Sequence, residues 1–419
     1  MDIHKIFSLI DEKKEELFGL LSRLVQINSE NFSAYGNEKE ICAYIHNLCR
    51  EMGLESAMYS PMELPGFDKH PDYMPGHGLE DRYNVTAVWK GEEDTNALML
   101  MAHTDTVQTG DPANWELPPL SGAIRDGRIY GRGVGDDKSG IAVMLFLTKL
   151  LKEAGFVPKQ NLLLNAYCDE EYGGSHGALA AVLRDSCRRV VNLDGYEDTV
   201  VNCATGGGEL MYRFHAADPV DSSRTVARAL STVMDVLDLF AKSRKEELEA
   251  NRFYAGTIIP ETAMRYIGVK CGENGQDLGI GQIHFVFYTD KTKAQIQPEL
   301  DHLHALLQER LAPLGMVSDG FIPTTRFFHY VHCEADCADI LDYLDAAELV
   351  TGDRPAVCGG GLGDQSVIAK YGCPNAFSVG VIRSFEREGG AHQPNEYVEC
   401  EKLLAFAKTM AAYILKVLQ

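Results

Sequence analysis

Apolar positions along this chain recur with two periods, and the switch between them outlines its organisation. Ile6, Ile10, Leu17, Leu21 and Leu24 fall at helical spacing and predict one amphipathic helix over residues 4–26. Ile41, Ile45 and Leu48 predict a second over 37–53, and prolines 61, 65, 71 and 75 mark 60–81 as a loop of a length that is often functional. Short continuous apolar runs at 83–89 and 97–101 then read as buried strands. Past a glycine-rich loop the pattern predicts helix 139–153, strand 161–168, helix 175–184 and strand 189–193. This alternation is that of an α/β fold, a mixed sheet flanked by helices. Such sheets bind ligands beyond the carboxyl ends of their strands. His103, Glu170, Glu171 and Asp194 each follow a predicted strand directly, so four candidate ligands converge on one sheet edge.

From about residue 202 the character changes. Gly206, Gly207 and Gly208 read as a hinge, followed by strand 209–214, helix 224–249, strands 254–269 and 281–288, helix 297–311 and a weaker last strand. That is an α+β unit of its own, with Val226, Leu230, Val233 and Leu237 of the long helix facing its core. After about residue 332 the first pattern resumes: helix 335–351, a glycine loop at 358–364, helix 365–370, strand 375–381, a polar loop with His392 and helix 399–418. The pattern therefore predicts a larger domain built from 1–203 and 329–419, with 204–328 inserted into it.

At 419 residues the chain is long enough for two cores. A net charge of −22 argues against nucleic acid or an anionic membrane as partner, since both need a basic face. The first residues lack the basic and apolar regions of a signal peptide, and no apolar run reaches the roughly 20 residues of a membrane span. Eleven cysteines without a C-x-x-C pair fit a reduced, cytoplasmic protein.

Candidate chemistry gathers between residues 98 and 140. His103 and Asp105, two apart on a strand, share a face and read as a metal ligand with its orienting carboxylate. The loop from Gly131 to Gly140, GRGVGDDKSG, matches neither common phosphate-loop pattern, and Asp136 and Asp137 would repel phosphate. Acidic residues in that place suit a cation. Alone, the Glu170–Glu171 pair would read as a solvated turn; following a strand and lying among other candidate ligands, it reads as functional.

Taken in order, His103-Thr-Asp105, GRGVGDDKSG, Asp169-Glu170-Glu171, Asn192-Leu-Asp194 and Ala391-His392-Gln-Pro-Asn-Glu396 resemble the M20 family of metallopeptidases, which includes glutamate carboxypeptidase-like enzymes, acetylornithine deacetylase and succinyl-diaminopimelate desuccinylase. The resemblance implies a zinc-peptidase-like catalytic domain and an inserted lid domain through which two chains dimerise. It also implies two divalent ions, usually Zn2+, with Co2+ or Mn2+ as alternatives. Asp136 would bridge them, His103 and Asp194 completing one set and Glu171 and His392 the other. Asp105 would orient His103, Glu170 would be the general base, Asp137 would stand behind the bridge, and the Asp136–Asp137 peptide would be cis. Glu197 or Asp198 could replace Asp194, which is preferred because it follows the apolar run directly.

The lid is less well marked. The family's oxyanion-stabilising histidine finds its nearest match in the stretch from His215 to Pro219, with His284 no better supported; a structural role is favoured for both. The arginine that often follows the lid aspartate is absent, and Arg265 or Arg383 could bind a substrate carboxylate instead. The loop containing Gly361 and Asp364 could present backbone amides to substrate. The expected function is a two-metal hydrolase of an amide bond in a small peptide or N-acyl amino acid. The inserted domain favours M20 over other dinuclear aminopeptidases, and a non-catalytic binding or regulatory protein on the same fold is the alternative.

Overall fold

In the computed structural model, residues 1–218, 223–272 and 279–419 are described. The chain divides into two units. The larger comprises Met1–Asn202, His332–Cys358 and Val367–Gln419, and the smaller comprises Cys203–Val331 and Gly359–Ser366. Residues 359–366, expected to continue the larger domain, group with the smaller one.

A nine-stranded mixed sheet forms among the described residues. Its order is Glu55–Tyr59, Asn84–Trp89, Gln160–Tyr167, Glu93–His103, Arg189–Asn192, Phe377–Ser378, Thr199–Ala204 and Val331–His332, with Ala356–Gly360 also paired to Thr199–Ala204. The three strands Gln160–Tyr167, Glu93–His103 and Arg189–Asn192 are adjacent and parallel. Their carboxyl ends therefore open on the same edge. Residues from Ala97 to Ala102 are at most 1% exposed, as a strand covered on both faces requires. Helix Lys138–Glu153 supplies much of that cover, burying Ile141, Leu145 and Leu147 among others.

Several local expectations change. The helix predicted over 4–26 is two, Ile3–Glu12 and Lys14–Val25, broken where Lys13 takes φ −101° and ψ 14°. The break leaves no trace in the helix-favouring run around it; the Lys13 ammonium is held by Glu153 at 2.7 Å, a partner far along the chain. Strands Glu55–Tyr59 and Thr199–Ala204 were not expected, and the strand predicted at 375–381 shrinks to Phe377–Ser378.

Among the described residues, the smaller unit has a four-stranded antiparallel sheet, ordered Met264–Cys271, Ile280–Thr289, Gly206–Ala216 and Met316–Pro323, with helices Ser223–Ala250 and Lys293–Leu311. Leu210, Tyr212 and Phe214 alternate inward and meet Val226, Val233 and Leu237 of the long helix. The three glycines read as a hinge belong instead to strand Gly206–Ala216. A Cβ on Gly207, whose φ is 119°, would stand 2.0 Å from the Phe287 carbonyl oxygen, so close backbone approach explains that glycine. The strand predicted from residue 254 begins only at Met264, because Gly256 takes a positive φ and Pro260 opens a 3-10 turn. No helix of the described residues is long and apolar enough to cross a membrane.

Candidate dinuclear metal site

The edge formed by the three parallel strands brings His103, Glu170, Glu171 and Asp194 together, and two loops complete the group. One loop precedes helix Lys138–Glu153 and carries Asp136; the other carries His392. His103 Nε2 lies 2.8 Å from Asp136 Oδ1, while His392 Nε2 lies 3.3 Å from Asp136 Oδ2 and 3.2 Å from Glu171 Oε2. His103, Asp136 and Asp194 offer donor atoms all within 4.8 Å of one another, as do Asp136, Glu171 and His392. Asp136 belongs to both sets and turns one oxygen to each imidazole. The Asp136–Asp137 peptide is cis.

The charges do not balance. Burial opposes ionisation of Asp136, yet hydrogen bonds from His103 and His392 hold its carboxyl well below the usual range. Burial, followed by the negative charge of Asp136, pushes Asp194 up to about 7. Burial favours a neutral His392, but Glu171 and Asp136 draw its pKa up to about 11. The carboxylates thus claim protons on both imidazoles. Two sets of imidazole and carboxylate donors, sharing one carboxylate and carrying excess negative charge, suit a pair of divalent ions such as Zn2+, Co2+ or Mn2+. The residues present fit the group.

Asp105 holds this arrangement differently from the expected way. His103 Nδ1 donates to the Asp105 backbone carbonyl at 2.9 Å, and the Asp105 carboxylate stands 3.7 Å away. That carboxylate instead accepts from the backbone N–H groups of Glu170 and Glu171, each at 3.0 Å, and from Asn31 Nδ2 at 2.7 Å. It therefore orients the double-glutamate turn, while its main chain orients the imidazole. Glu171 Oε1 is further fixed by the Val107 N–H at 3.0 Å. Glu170 has a donor atom within 4.8 Å of those of His103 and Glu171. Asp137 caps helix Lys138–Glu153, its Oδ1 accepting from the Gly140 N–H. Glu197 and Asp198 turn to Arg387 and Lys402, so neither substitutes for Asp194.

A further donor cluster escaped the sequence reading. His77, Asp169 and His176 also come within 4.8 Å of one another. Here Arg82 Nη1 is 2.8 Å from Asp169 Oδ1, and His176 Nε2 accepts from the Met74 N–H. A guanidinium already neutralises the carboxylate, and one imidazole nitrogen is spent on the backbone. Its three donors are spread over the 60–81 loop, the turn after strand Gln160–Tyr167 and the start of helix His176–Arg184, which no local spacing joins.

The expected substrate residues are scattered. His215 pairs with Asp319 at 2.9 Å on the smaller unit's sheet, and Pro219 of its stretch lies outside the described residues. Strand Ile280–Thr289 carries His284. Arg265 donates to the Tyr288 hydroxyl at 2.8 Å, and a Cβ on Gly361 would stand 3.5 Å from that oxygen. The Gly361 carbonyl accepts from Thr205 N–H, and Asp364 is buried. Arg383, in the larger unit, lies over the Tyr397 ring at 4.6 Å.

The profile of peptidase family M20/M25/M40 matches residues 99–416. The chain belongs to this family. An uncharacterized metallohydrolase of Methanocaldococcus jannaschii is 36% identical over 164 residues, 39% of this chain and 38% of that relative. A deformylase of N-formyl-4-amino-5-aminomethyl-2-methylpyrimidine from Halalkalibacterium halodurans is 29% identical over 173 residues, 41% of this chain and 36% of that protein. The matched stretches thus span less than half of either relative. A di-peptidase from Saccharomyces cerevisiae shares the fold with a TM-score of 0.74 at 15% identity, covering 99% of this chain and 98% of its own.

Proposed function

We propose that this protein is a two-metal hydrolase that cleaves an amide bond in a small peptide or an N-acyl amino acid. The observation that carries this is the position of Asp136, shared by two donor sets beside Glu170. His103, Asp136 and Asp194 would hold one ion; Asp136, Glu171 and His392 would hold the other. When bound, such ions polarise a carbonyl and bring the pKa of water toward neutrality. Glu170, whose backbone is fixed by Asp105, takes a proton from the attacking water onto its carboxylate and returns it to the leaving nitrogen. Asp105 keeps that carboxylate's main chain in place, and Arg383 of the larger unit receives the substrate's own carboxylate. The di-peptidase neighbour supports a peptide and the deformylase relative an N-acyl group. Zn2+ is the preferred ion, the smaller unit is the lid and dimerisation domain, and eleven cysteines without a C-x-x-C pair support a cytoplasmic setting.

The test pairs metal content with a hydrolysis screen of dipeptides, N-acyl and N-formyl compounds. Wild type should carry two ions per chain and hydrolyse one class. Glu170→Gln should keep both ions and lose about 10²–10⁴-fold in kcat. Equal turnover by that variant, or wild-type hydrolysis unaffected by complete metal removal, would overturn the reading.

A further inference from the structure

Two residues of the quoted motifs have no part in the scheme above, Arg132 and Glu396, and the structure buries both. They are 3% and 1% exposed and form an ion pair, Arg132 Nη1 to Glu396 Oε2, at 2.7 Å. Each also reaches into the partner's loop. The Glu396 carboxylate accepts from the N–H groups of Gly133 and Gly135 at 3.1 Å each, and its carbonyl accepts from Gly131 N–H at 2.9 Å. It thus grips the backbone leading to Asp136 at three alternate residues. Arg132 in turn donates Nη2 to the His392 carbonyl at 3.2 Å and Nη1 to the Gln393 carbonyl at 3.4 Å. Its guanidinium also lies 5.2 Å from the centre of the Trp115 ring, in the loop that follows the His103 strand.

His392 sits in a loop with φ 62°, and its ring is the most exposed part of its donor set. The loop is made of turns, with Gln393 N–H donating to the Gly390 carbonyl and the Phe385 ring against His392, and Arg132 holds the carbonyls of His392 and Gln393. We infer that the Arg132–Glu396 pair is a positioning device that locks the Asp136 and His392 loops to each other and so assembles one ion site, that of Asp136, Glu171 and His392. The inference rests on the two-ion reading. The other set, His103, Asp136 and Asp194, draws two of its three donors from neighbouring strand ends and depends less on the pair. Arginine suits this task because its planar fork serves a carboxylate and two carbonyls at once, which a lysine ammonium cannot do in the same geometry.

The experiment is titration of the metal-free full-length protein with Zn2+, followed by calorimetry, for wild type, Glu396→Gln and Arg132→Lys. Wild type should bind two ions. Each variant should weaken the site of Asp136, Glu171 and His392 about 10–100-fold, the loss expected when a group behind a metal ligand is removed, and the site of His103, Asp136 and Asp194 by less, since the two share Asp136. Free imidazole or added salt should not restore it. Arg132→Lys keeps the buried charge pair, so it reports on the carbonyl contacts if the Gln variant does not fold. Variants that bind both ions as wild type does, or weaken both sites equally, would overturn the inference while leaving the two-ion reading intact. A wild type that binds fewer than two ions would overturn that reading and the inference with it.

Discussion

Two clusters in the larger unit offer the same ligand types and differ in what neutralises them. Asp136, with Asp194, Glu171, His103 and His392, has imidazoles as the cationic partners of its carboxylates among the described residues. Asp169, with His77 and His176, has the Arg82 guanidinium as well, and Glu38 completes that pair on its far side. In the first cluster Asp194 is pushed up to about 7, protons standing in for missing positive charge. In the second, burial is outweighed by Arg82 and the histidines, and the Asp169 carboxyl lies below its usual range. Donor count and distance are alike in the two clusters; the Arg82 guanidinium at Asp169 is what separates them, and its absence at Asp136 supports the proposed cation there. The second cluster is also tied to the first through Asn31, whose Nδ2 donates to Asp169 Oδ1 at 3.4 Å as well as to Asp105, which holds the Glu170–Glu171 turn, and to the Glu171 carbonyl.

The comparison breaks most clearly on one substitution in each cluster. Asp136→Asn should lower affinity for both Zn2+ ions by more than about 100-fold, beyond the effect of losing a group behind a ligand. It should also lower the neutral-pH stability of the metal-free protein, because the Asp136 carboxylate accepts from His103 and His392 and its depressed pKa favours the folded state; titration and urea unfolding measure the two. Asp169→Asn should cost about 3 kcal/mol of metal-free stability by leaving Arg82 short of a buried partner, but with two ions still bound at wild-type affinity. If Asp169→Asn emptied a Zn2+ site without loss of stability, the assignment of the clusters would be inverted.

A smaller effect lies in pH. The raised pKa of Asp194 means that the folded state binds its proton more tightly than the unfolded chain does. Its support for the fold is present below about pH 4 and is withdrawn as pH rises to about 7. Urea midpoints of the metal-free protein should fall across that window, Asp194→Asn should flatten the slope, and saturating Zn2+ should reverse it. Smallest of all, Asp198→Asn removes an exposed pairing with Lys402 four residues beyond Asp194. It should change stability by less than about 1 kcal/mol and leave ion stoichiometry at the wild-type value.

Much of the candidate site was legible because local signals carried it. His103, the double glutamate and Asp194 each follow an apolar run whose strand character could be read directly, and parallel strands place their carboxyl ends on one edge. Asp136 and His392 lie in loops, where periodicity is silent; Asp136 was marked by the acidic end of its glycine-rich loop, and His392 entered only through the order of motifs. The role of Asp105 was half legible: proximity to His103 was evident, but the choice between its carbonyl and carboxylate depended on the turn it faces. The glycines at 206–208 were misread as a hinge because a glycine's local freedom and its need to admit a neighbouring backbone leave the same letters.

By itself the sequence determined which side chains could bear ligands and on which strand ends they stand, since apolar runs and their polar ends are properties of adjacent residues. Only the tertiary structure decided which carboxylates keep their charge unpaired. Arg82 reaches Asp169 and not Asp136, and Arg132 meets Glu396 from the far end of the chain. Electrostatic compensation in a buried site acts through distances of a few ångströms in space, whatever the separation along the chain, so no local pattern of residues could encode it.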